Sequence, residues 1–258
     1  MIRYKTPEEI VILRQGGRIL GGILKKLGQE AKAGVSSAYL EDLACKMITD
    51  AGGEPAFKNY DMGDGLRFPS ALCVSINSEV VHGPALPSRI FKAGDIVSLD
   101  IGMKWKYLYT DTAITVPVGK VSAEAKKLMK ITREALYAGI KQARVDNTLN
   151  DIGKAIYDHA SKKHGYGIVE DLVGHGVGYQ AHEDPNVPNY EIGDDAPDNL
   201  VLEEGLVIAI EPMVNMGTWR VKILSNKYTF ATKDDALSAR FEHSVAITKD
   251  GPIILTEI

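Results

Sequence analysis

Apolar residues recur every three or four positions in four segments of the chain, the spacing of amphipathic helices. The first segment begins at Thr6-Pro7-Glu8-Glu9 and continues to about Gly28. Thr6 can cap this helix, Pro7 suits its first turn and Glu9 completes a capping box. The other three helices are predicted from Ser36 or Ser37 to about Asp50, from near Ser122, and from Thr148 to Gly165.

Short runs of branched and aromatic residues between the helices predict strands. In the first half they are ALCVSIN, GDIVSLDIG and YLYTDTAITVPVG, and in the second half GLVIAIEPMV, YTFAT and RFEHSVAIT. Each half thus runs helix, helix, then strands that include one ending in an acidic residue, GDIVSLD and GLVIAIE. This weak internal repeat fits a duplicated α+β unit with a site at the join of its halves.

Composition narrows the class of protein. The 258 residues suit one large domain or two small ones, and 45% apolar with 25% charged residues is typical of a globular protein. A net charge of −4 does not favour direct nucleic-acid binding. Two cysteines far apart in sequence suit a reducing compartment. No signal core is visible, and no stretch approaches the roughly eighteen apolar residues of a membrane helix. We expect a cytoplasmic protein without a membrane partner.

Two aspartates stand inside predicted strands, where aspartate is rare. Asp100 and Asp111 are separated by an odd number of residues, which on one straight strand would turn them to opposite faces. A hairpin that turns near Lys104-Trp105-Lys106 would instead bring them together on one face. Two like charges there would be neutralised by a divalent metal. The alternative is a pair of solvent-facing acids on an edge hairpin.

Further candidate ligands follow along the chain. LVGHGVGYQAHEDP contains His175 and His182 among glycines. Glu211 follows a run of apolar residues that is typical of a buried strand, and Glu242 lies within a predicted strand. Each alone could be structural, but the set Asp, Asp, His, Glu, Glu exceeds the three protein ligands of a simple catalytic zinc. It suits two metal ions bridged by carboxylates and water, which would hydrolyse an amide or ester, or a phosphoester.

The motifs NSEVVHG, LDIG, TDTA, GHGVGYQAHEDP, IEPMVN and SARFEHSVAIT, in this order, resemble those of type I methionine aminopeptidases. The resemblance extends from about Thr6 to the C-terminus and matches the short form. It implies an α/β (α+β) pita-bread fold, with two pseudo-symmetric halves around a curved antiparallel sheet flanked by helices. It also implies one catalytic metallopeptidase domain over residues 1–258.

The resemblance assigns roles to individual residues. Asp100 would hold one metal ion, His175 and Glu211 the other, and Asp111 and Glu242 both. Glu211 would also act as the general base. His82 would contact the substrate near the scissile bond, and His182 would hydrogen-bond the scissile carbonyl. The pocket for the methionine side chain would be lined by Phe57, Tyr60, Phe68, Cys73 and Tyr228.

The implied reaction removes the N-terminal methionine of a peptide or nascent chain when the next residue is small. It would use two divalent ions (Co, Mn, Fe or Zn), with the protein a monomer that associates transiently with the ribosome. Two alternatives remain: an Xaa-Pro aminopeptidase or dipeptidase of the same fold, and a metal-free binding scaffold. The long Asp61–Arg67 link, Ala181 and Tyr228 depart from the family pattern and affect pocket shape. Trp105 has no assigned role, and we expect it at the surface.

Overall fold

The computed structural model describes residues 2–63 and 65–257. Its helices are α1 (Pro7–Glu30), α2 (Ser37–Asp50), α3 (Ala123–Gln142) and α4 (Leu149–Tyr157), the last continued by a π-helical turn at Asp158–Lys162. Its strands are β1 (Gly53–Pro55), β2 (Leu72–Ile76), β3 (Glu79–Val81), β4 (Ile96–Trp105), β5 (Leu108–Pro117), β6 (Gly167–Ile168), β7 (Gly174–Gly176), β8 (Glu183–Val187), β9 (Val207–Ile210), β10 (Met213–Asn215), β11 (Val221–Ile223), β12 (Phe230–Thr232), β13 (Ser238–Arg240), β14 (Glu242–Thr248) and β15 (Gly251–Ile254).

The predicted helix starts are confirmed by their caps. The Thr6 hydroxyl accepts from the Glu9 backbone N–H, and the Glu9 carboxylate accepts from the Thr6 N–H, so the capping box is complete. Serine or threonine side chains cap the other three helices at Ser36, Ser122 and Thr148. No helix within the described ranges is long and apolar enough to cross a bilayer.

One antiparallel sheet dominates the described residues and explains the internal repeat. Its strand order is β1-β4-β5-β14-β9-β7-β8, with β2 also paired to β4 and β15 to β14. The hairpin β4–β5 comes from the first half of the chain, while β14 and β9 come from the second. The halves meet where Glu242 of β14 stands opposite Ala113 of β5. The middle of the sheet is therefore the join that the repeat predicts.

Each half has its own hydrophobic core. In the first, α1 and α2 pack on β2 and β4, with Leu24 and Leu99 fully buried between them. In the second, α3 and α4 pack on β9 and β14 around Ile152 and Ile208. Burial of this apolar surface is the main favourable term in folding, so both halves hold the central strands in a fixed register.

The β4–β5 hairpin forms as predicted, with one difference in register. Asp111 stands opposite Gly102, so Asp100 lies two residues further along the same face of β4 rather than directly across. The turn is made by Lys106, which has a φ of 57°, and Tyr107. The diagonal offset leaves both carboxylates on one face and separates them more than direct opposition would.

The expectation that Trp105 lies at the surface holds only in part. Its side chain is only partly exposed and packs on the first core, where its Cβ would be 3.1 Å from a Cβ placed on Gly16 of α1. Its indole N–H donates to the Ala51 carbonyl at 3.3 Å. An indole usually finds a partner for its N–H when it is buried. Trp105 therefore anchors the hairpin end to α1 and to the end of α2.

The residues before α1 hold in place the turn that carries His182. Lys5 is buried, its backbone N–H donates to the Gly205 carbonyl at 2.7 Å, and its ammonium pairs with Glu183. Glu183 also accepts from the Gln180 backbone N–H at 3.1 Å and pairs with Arg3 at 3.2 Å. Burial lowers the pKa of Lys5, and the Glu183 carboxylate opposes that shift. This ion pair closes the turn from Gln180 to Glu183.

Two glycines of α1 form a matched pair for substitution. A Cβ on Gly17 would lie 2.4 Å from the Leu255 carbonyl oxygen, whereas a Cβ on Gly22 would meet no atom within 4 Å outside its own helix backbone. We expect Gly17→Ala to lower the free energy of unfolding by about 1–3 kcal/mol because backbone must move. Gly22→Ala should raise it by about 0.5–1 kcal/mol. Urea denaturation measures both, and equal effects would contradict the contact between α1 and Leu255.

Replacing Lys5 with methionine keeps an apolar stem but removes the buried ammonium. The Glu183 carboxylate, whose side chain is only 8% exposed, would then lose its closest cation. We expect Lys5→Met to lower the free energy of unfolding by about 3–5 kcal/mol, the usual effect of breaking a buried pair. Lys26→Met, which breaks the exposed pair with Glu30 on α1, is the control and should change little. A similar small effect for both variants would contradict a structural role for the Lys5 pair.

Candidate active site

Five side chains from five strand segments converge at the join of the two halves. Asp100 lies in the middle of β4, Asp111 in β5 and His175 in β7, while Glu211 follows β9 and Glu242 begins β14. All five are buried, with Glu242 fully so. Below they are called the five-residue cluster. The cluster brings together the residues that the sequence motifs single out, although they are spread over more than half of the chain.

Potential ligand atoms of the cluster lie close to one another. In each of two groups, Asp100 with Asp111 and Glu242, and His175 with Glu211 and Glu242, one such atom per residue lies within 4.8 Å of the others. The His175 Nε2 atom is 3.5 Å from Glu211 Oε1 and 3.8 Å from Asp111 Oδ2. Glu242 belongs to both groups, and Asp111 approaches both as well.

The protonation state of His175 is set by its second ring nitrogen. Nδ1 lies 2.9 Å from the Gly176 carbonyl oxygen, which can only accept a hydrogen bond. Nδ1 therefore carries the proton, and Nε2 presents its lone pair to the carboxylates. Burial lowers the pKa of His175 to about 4, so the imidazole is neutral near pH 7. A neutral imidazole held by a carbonyl is the form in which histidine binds metals.

The carboxyl groups of Asp111, Glu211 and Glu242 hold protons more tightly than exposed acids do. Burial raises the pKa of Glu211 to about 7, with Arg240 opposing the shift and Asp100 adding to it. Burial, and then repulsion from neighbouring carboxylates, raises the pKa of Asp111 well above its usual range. Burial likewise raises the pKa of Glu242, against the opposing charge of Arg240. The cluster is therefore a region of unfavourable negative charge, which a cation would relieve.

Arg240 lies inside the cluster, and the sequence motifs alone did not single it out. Its Nη1 donates to Asp100 Oδ2 at 2.5 Å, and its Nη2 lies 2.7 Å from Glu242 Oε2 and 2.9 Å from Glu211 Oε2. The signal that could have found it is strand alternation: Arg240 precedes Glu242 by two residues in SARFEHS and so shares its face. His243 points the other way, to Thr256 and Tyr137, as alternation predicts.

Several buried polar atoms of the cluster have no partner. They are Asp100 Oδ1, Asp111 Oδ1 and Glu242 Oε1, one oxygen from each member of one ligand group. Leaving a buried carboxylate oxygen without a partner is costly, so such atoms need a ligand, an ion or water. All three belong to residues that could share one divalent cation.

Two further histidines complete the polar wall of the site. The His182 ring lies 4.3 Å from the His175 ring and 5.0 Å from the Tyr60 ring, centroid to centroid. His82 has a φ of 57° and an edge contact with Phe230 at 5.8 Å. The Nδ1 atoms of His82 and His182 are buried without a partner. Burial lowers the pKa of His82 to about 4 and that of His182 to about 3, so both are neutral near pH 7.

A cavity of about 270 Å³ opens beside the cluster. Four of the five predicted pocket residues line it, namely Phe57, Tyr60, Phe68 and Cys73. The fifth, Tyr228, does not line the cavity. It packs edge-on against Phe68 at 5.8 Å and donates its hydroxyl to the Arg67 carbonyl at 3.1 Å, so it supports the wall from behind. Lining residues that sequence reasoning missed are Met62, Val81, Leu172, Val173, Met213 and Arg240.

The long link noted in the sequence forms part of the cavity rim. The Met62 N–H donates to the Leu66 carbonyl at 2.9 Å, and Asp61 bridges to Arg67, so this segment folds back on itself. Asp64 lies outside the described residues. Tyr60 and Met62, each 36% exposed, line the cavity. The link thus brings Met62 to the open side of the site, next to Tyr60, which precedes the link.

Known proteins provide an independent comparison. The profile of metallopeptidase family M24 matches residues 11–249. Methionine aminopeptidase of Clostridium acetobutylicum is 43% identical over 256 residues, covering 99% of each chain. Methionine aminopeptidase 1 of Bacillus subtilis is 41% identical and is matched over 100% of each chain. The crystal structure of methionine aminopeptidase from Thermotoga maritima has a TM-score of 0.93 at 38% identity, again over 100% of each chain.

These matches confirm the predicted fold class, in which two related halves surround a curved antiparallel sheet flanked by helices. They also favour the methionine aminopeptidases over the Xaa-Pro peptidases. The chain belongs to metallopeptidase family M24, among its type I methionine aminopeptidases.

Proposed function

We propose that this protein hydrolyses the first peptide bond of chains that begin with methionine, using two divalent metal ions held by the five-residue cluster. Asp100 would hold one ion, and His175 with Glu211 the other. Asp111 and Glu242 would contact both. The observation that carries the proposal is the convergence of these five side chains in this protein. The chain also shares about 40% identity with methionine aminopeptidases along its whole length.

The donor set fits a divalent metal on its own chemistry. Three carboxylate oxygens of the cluster are buried without partners, and the His175 Nε2 lone pair points toward Glu211 and Asp111. Carboxylate and neutral imidazole are ligands that suit Mn, Fe, Co and Zn. A bound divalent ion would polarise the scissile carbonyl and lower the pKa of water at the site.

Glu211 is the best candidate for the general base. It lines the cavity beside the proposed metal site, and a general base must lie within hydrogen-bond reach of the proton that it takes. Its Oε2 pairs with Arg240, and its Oε1 faces His175, so both oxygens are held in place. Glu211 would take a proton from the attacking water and return it to the leaving amine.

His182 and His82 would act on the substrate as neutral imidazoles. Each lines the cavity and has a buried ring nitrogen without a protein partner. A neutral imidazole still carries one N–H group, which can donate a hydrogen bond to an oxygen on which negative charge develops. We assign His182 to the scissile carbonyl and His82 to the substrate beside the scissile bond.

The cavity suits a methionine side chain. Aromatic rings and sulfur atoms, from Phe57, Phe68, Cys73 and Met62, supply its lining. Sulfur–aromatic contacts favour a thioether over an aliphatic chain of the same shape. Tyr60 also lines this cavity, as predicted for the methionine pocket, and with Met62 it lies at the exposed rim. At the rim both side chains would also stand beside the second residue of the substrate, where a small side chain is accommodated best.

The proposal extends to the partners, the metal ions and the extent of the catalytic domain. The substrate is the N-terminus of a peptide or nascent chain, and we propose that the protein acts as a monomer with transient access to the ribosome. The ions would be Co, Mn, Fe or Zn. One catalytic domain would span residues 1–258.

Peptide specificity tests the proposal. Metal-free protein supplied with Co²⁺ or Mn²⁺ should release methionine from Met-Ala-Ser, and should act on Met-Lys-Ser more slowly by over about tenfold, because the longer second side chain meets the rim. The released amino acid is measured by chromatography, and a chelator should abolish its release.

The same assay contains the outcomes that would contradict the proposal. Cleavage of Ala-Pro-Ser alone would identify an Xaa-Pro peptidase. Absence of cleavage of all three peptides with every divalent ion tested would favour a metal-free scaffold.

A further inference from the structure

Arg240 places a permanent positive charge among the carboxylates of the five-residue cluster. Its side chain is 5% exposed, and its guanidinium contacts Asp100, Glu211 and Glu242. No reaction step assigned above uses it. A guanidinium in this position therefore requires an explanation of its own.

The backbone of Arg240 is fixed as firmly as its side chain. The Arg240 N–H donates to Thr115 Oγ1 at 2.9 Å, and the same hydroxyl donates to the Arg240 carbonyl at 2.7 Å. Arg240 also ends β13, where it stands opposite Met213 of β10. Because both its backbone and its planar guanidinium are held, Arg240 presents a rigid fork to the carboxylates.

The guanidinium uses one oxygen of each carboxylate and leaves the other. It contacts Oδ2 of Asp100, Oε2 of Glu211 and Oε2 of Glu242. The Oδ1 of Asp100 and the Oε1 of Glu242 stay buried without a partner, and the Oε1 of Glu211 faces His175. Arginine and a metal ion can therefore share the same carboxylates, because they take different oxygens.

The charges of the cluster also allow both cations. One guanidinium can balance only one of the four carboxylates of Asp100, Asp111, Glu211 and Glu242, so the ionised cluster keeps a net negative charge that attracts divalent ions. Without the guanidinium, the four carboxylates would repel one another more strongly in a buried site and move further apart.

We propose that Arg240 is a positioning residue, which orients Asp100, Glu211 and Glu242 so that their free oxygens are ready for the metal ions. This inference rests on the proposed function, since it takes the cluster to be a metal site. It predicts that Arg240 strengthens metal binding although it carries the same sign of charge as the ions. Partners that orient metal ligands typically change metal affinity by about 10–100-fold.

Two substitutions of Arg240 distinguish the effect of its planar guanidinium geometry from the effect of its positive charge. Arg240→Gln removes the charge and leaves one amide, and Arg240→Lys keeps the charge but cannot span three carboxylates. Mn²⁺ dissociation constants are measured by calorimetry on metal-free protein. We expect Arg240→Gln to weaken Mn²⁺ binding by about 10–100-fold and Arg240→Lys by about tenfold. The visible absorption spectrum of bound Co²⁺ should change in both variants, because displaced carboxylates alter its coordination.

Arg89→Gln is the matched control. Arg89 pairs with Glu79 at 2.7 Å and has no contact with the five-residue cluster among the described residues. It should leave the Mn²⁺ affinity and the Co²⁺ spectrum unchanged, even if its thermal midpoint falls. If Arg240→Gln does not fold, Arg240→Lys decides the question.

Each contrary result has a separate meaning. Unchanged or tighter Mn²⁺ binding in the folded Arg240 variants would overturn the positioning role, and tighter binding would identify Arg240 as a competitor of the metal. If the wild-type protein itself bound neither Mn²⁺ nor Co²⁺, the proposed metal site would fall, and this inference with it.

Discussion

Concentrated negative charge in the middle of a buried sheet is the constraint on which the rest of this structure depends. Four carboxylates of the cluster converge at the join of the two halves, where water is largely excluded. Burying unpaired charges is highly unfavourable, so such a cluster persists only if cations and fixed hydrogen-bond donors offset it. Arg240 offsets part of this charge, and the unpartnered oxygens that remain indicate where further positive charge belongs.

The surrounding strands and helices hold the carboxylates of the cluster in fixed positions despite their mutual repulsion. Two hydrophobic cores, one in each half, fix the strands that carry the carboxylates. Backbone approaches that only glycine permits bring β7 close to its neighbours: a Cβ on Gly174 would lie 2.3 Å from the Ala209 carbonyl oxygen. His175, which lies between Gly174 and Gly176, is thereby brought close to the other members of the cluster, and its tautomer is fixed by the Gly176 carbonyl. Packing, glycine geometry and ligand orientation are thus parts of one arrangement.

Much of the fold and of the site could be predicted from local signals. Capping residues marked the helix starts, and the odd spacing of Asp100 and Asp111 required a hairpin. Features that depend on tertiary packing could not be predicted in the same way. Trp105 appeared exposed because nothing in its neighbourhood reveals that α1 lies beneath it. Tyr228 supports Phe68 rather than lining the cavity, a distinction of a few ångströms that a motif does not encode. Arg240 was overlooked because a charged residue in a strand has many ordinary explanations.

Anomalous X-ray diffraction from crystals prepared with Mn²⁺ tests the central claim, that the five-residue cluster is a two-ion metal centre, most directly. The account predicts two anomalous peaks, one among Asp100, Asp111 and Glu242 and the other among His175, Glu211 and Glu242, about 3.5–4 Å apart. Arg240 should keep its contacts with the cluster beside them. No peak within the cluster, in crystals of protein that cleaves methionine from a peptide, would contradict the account.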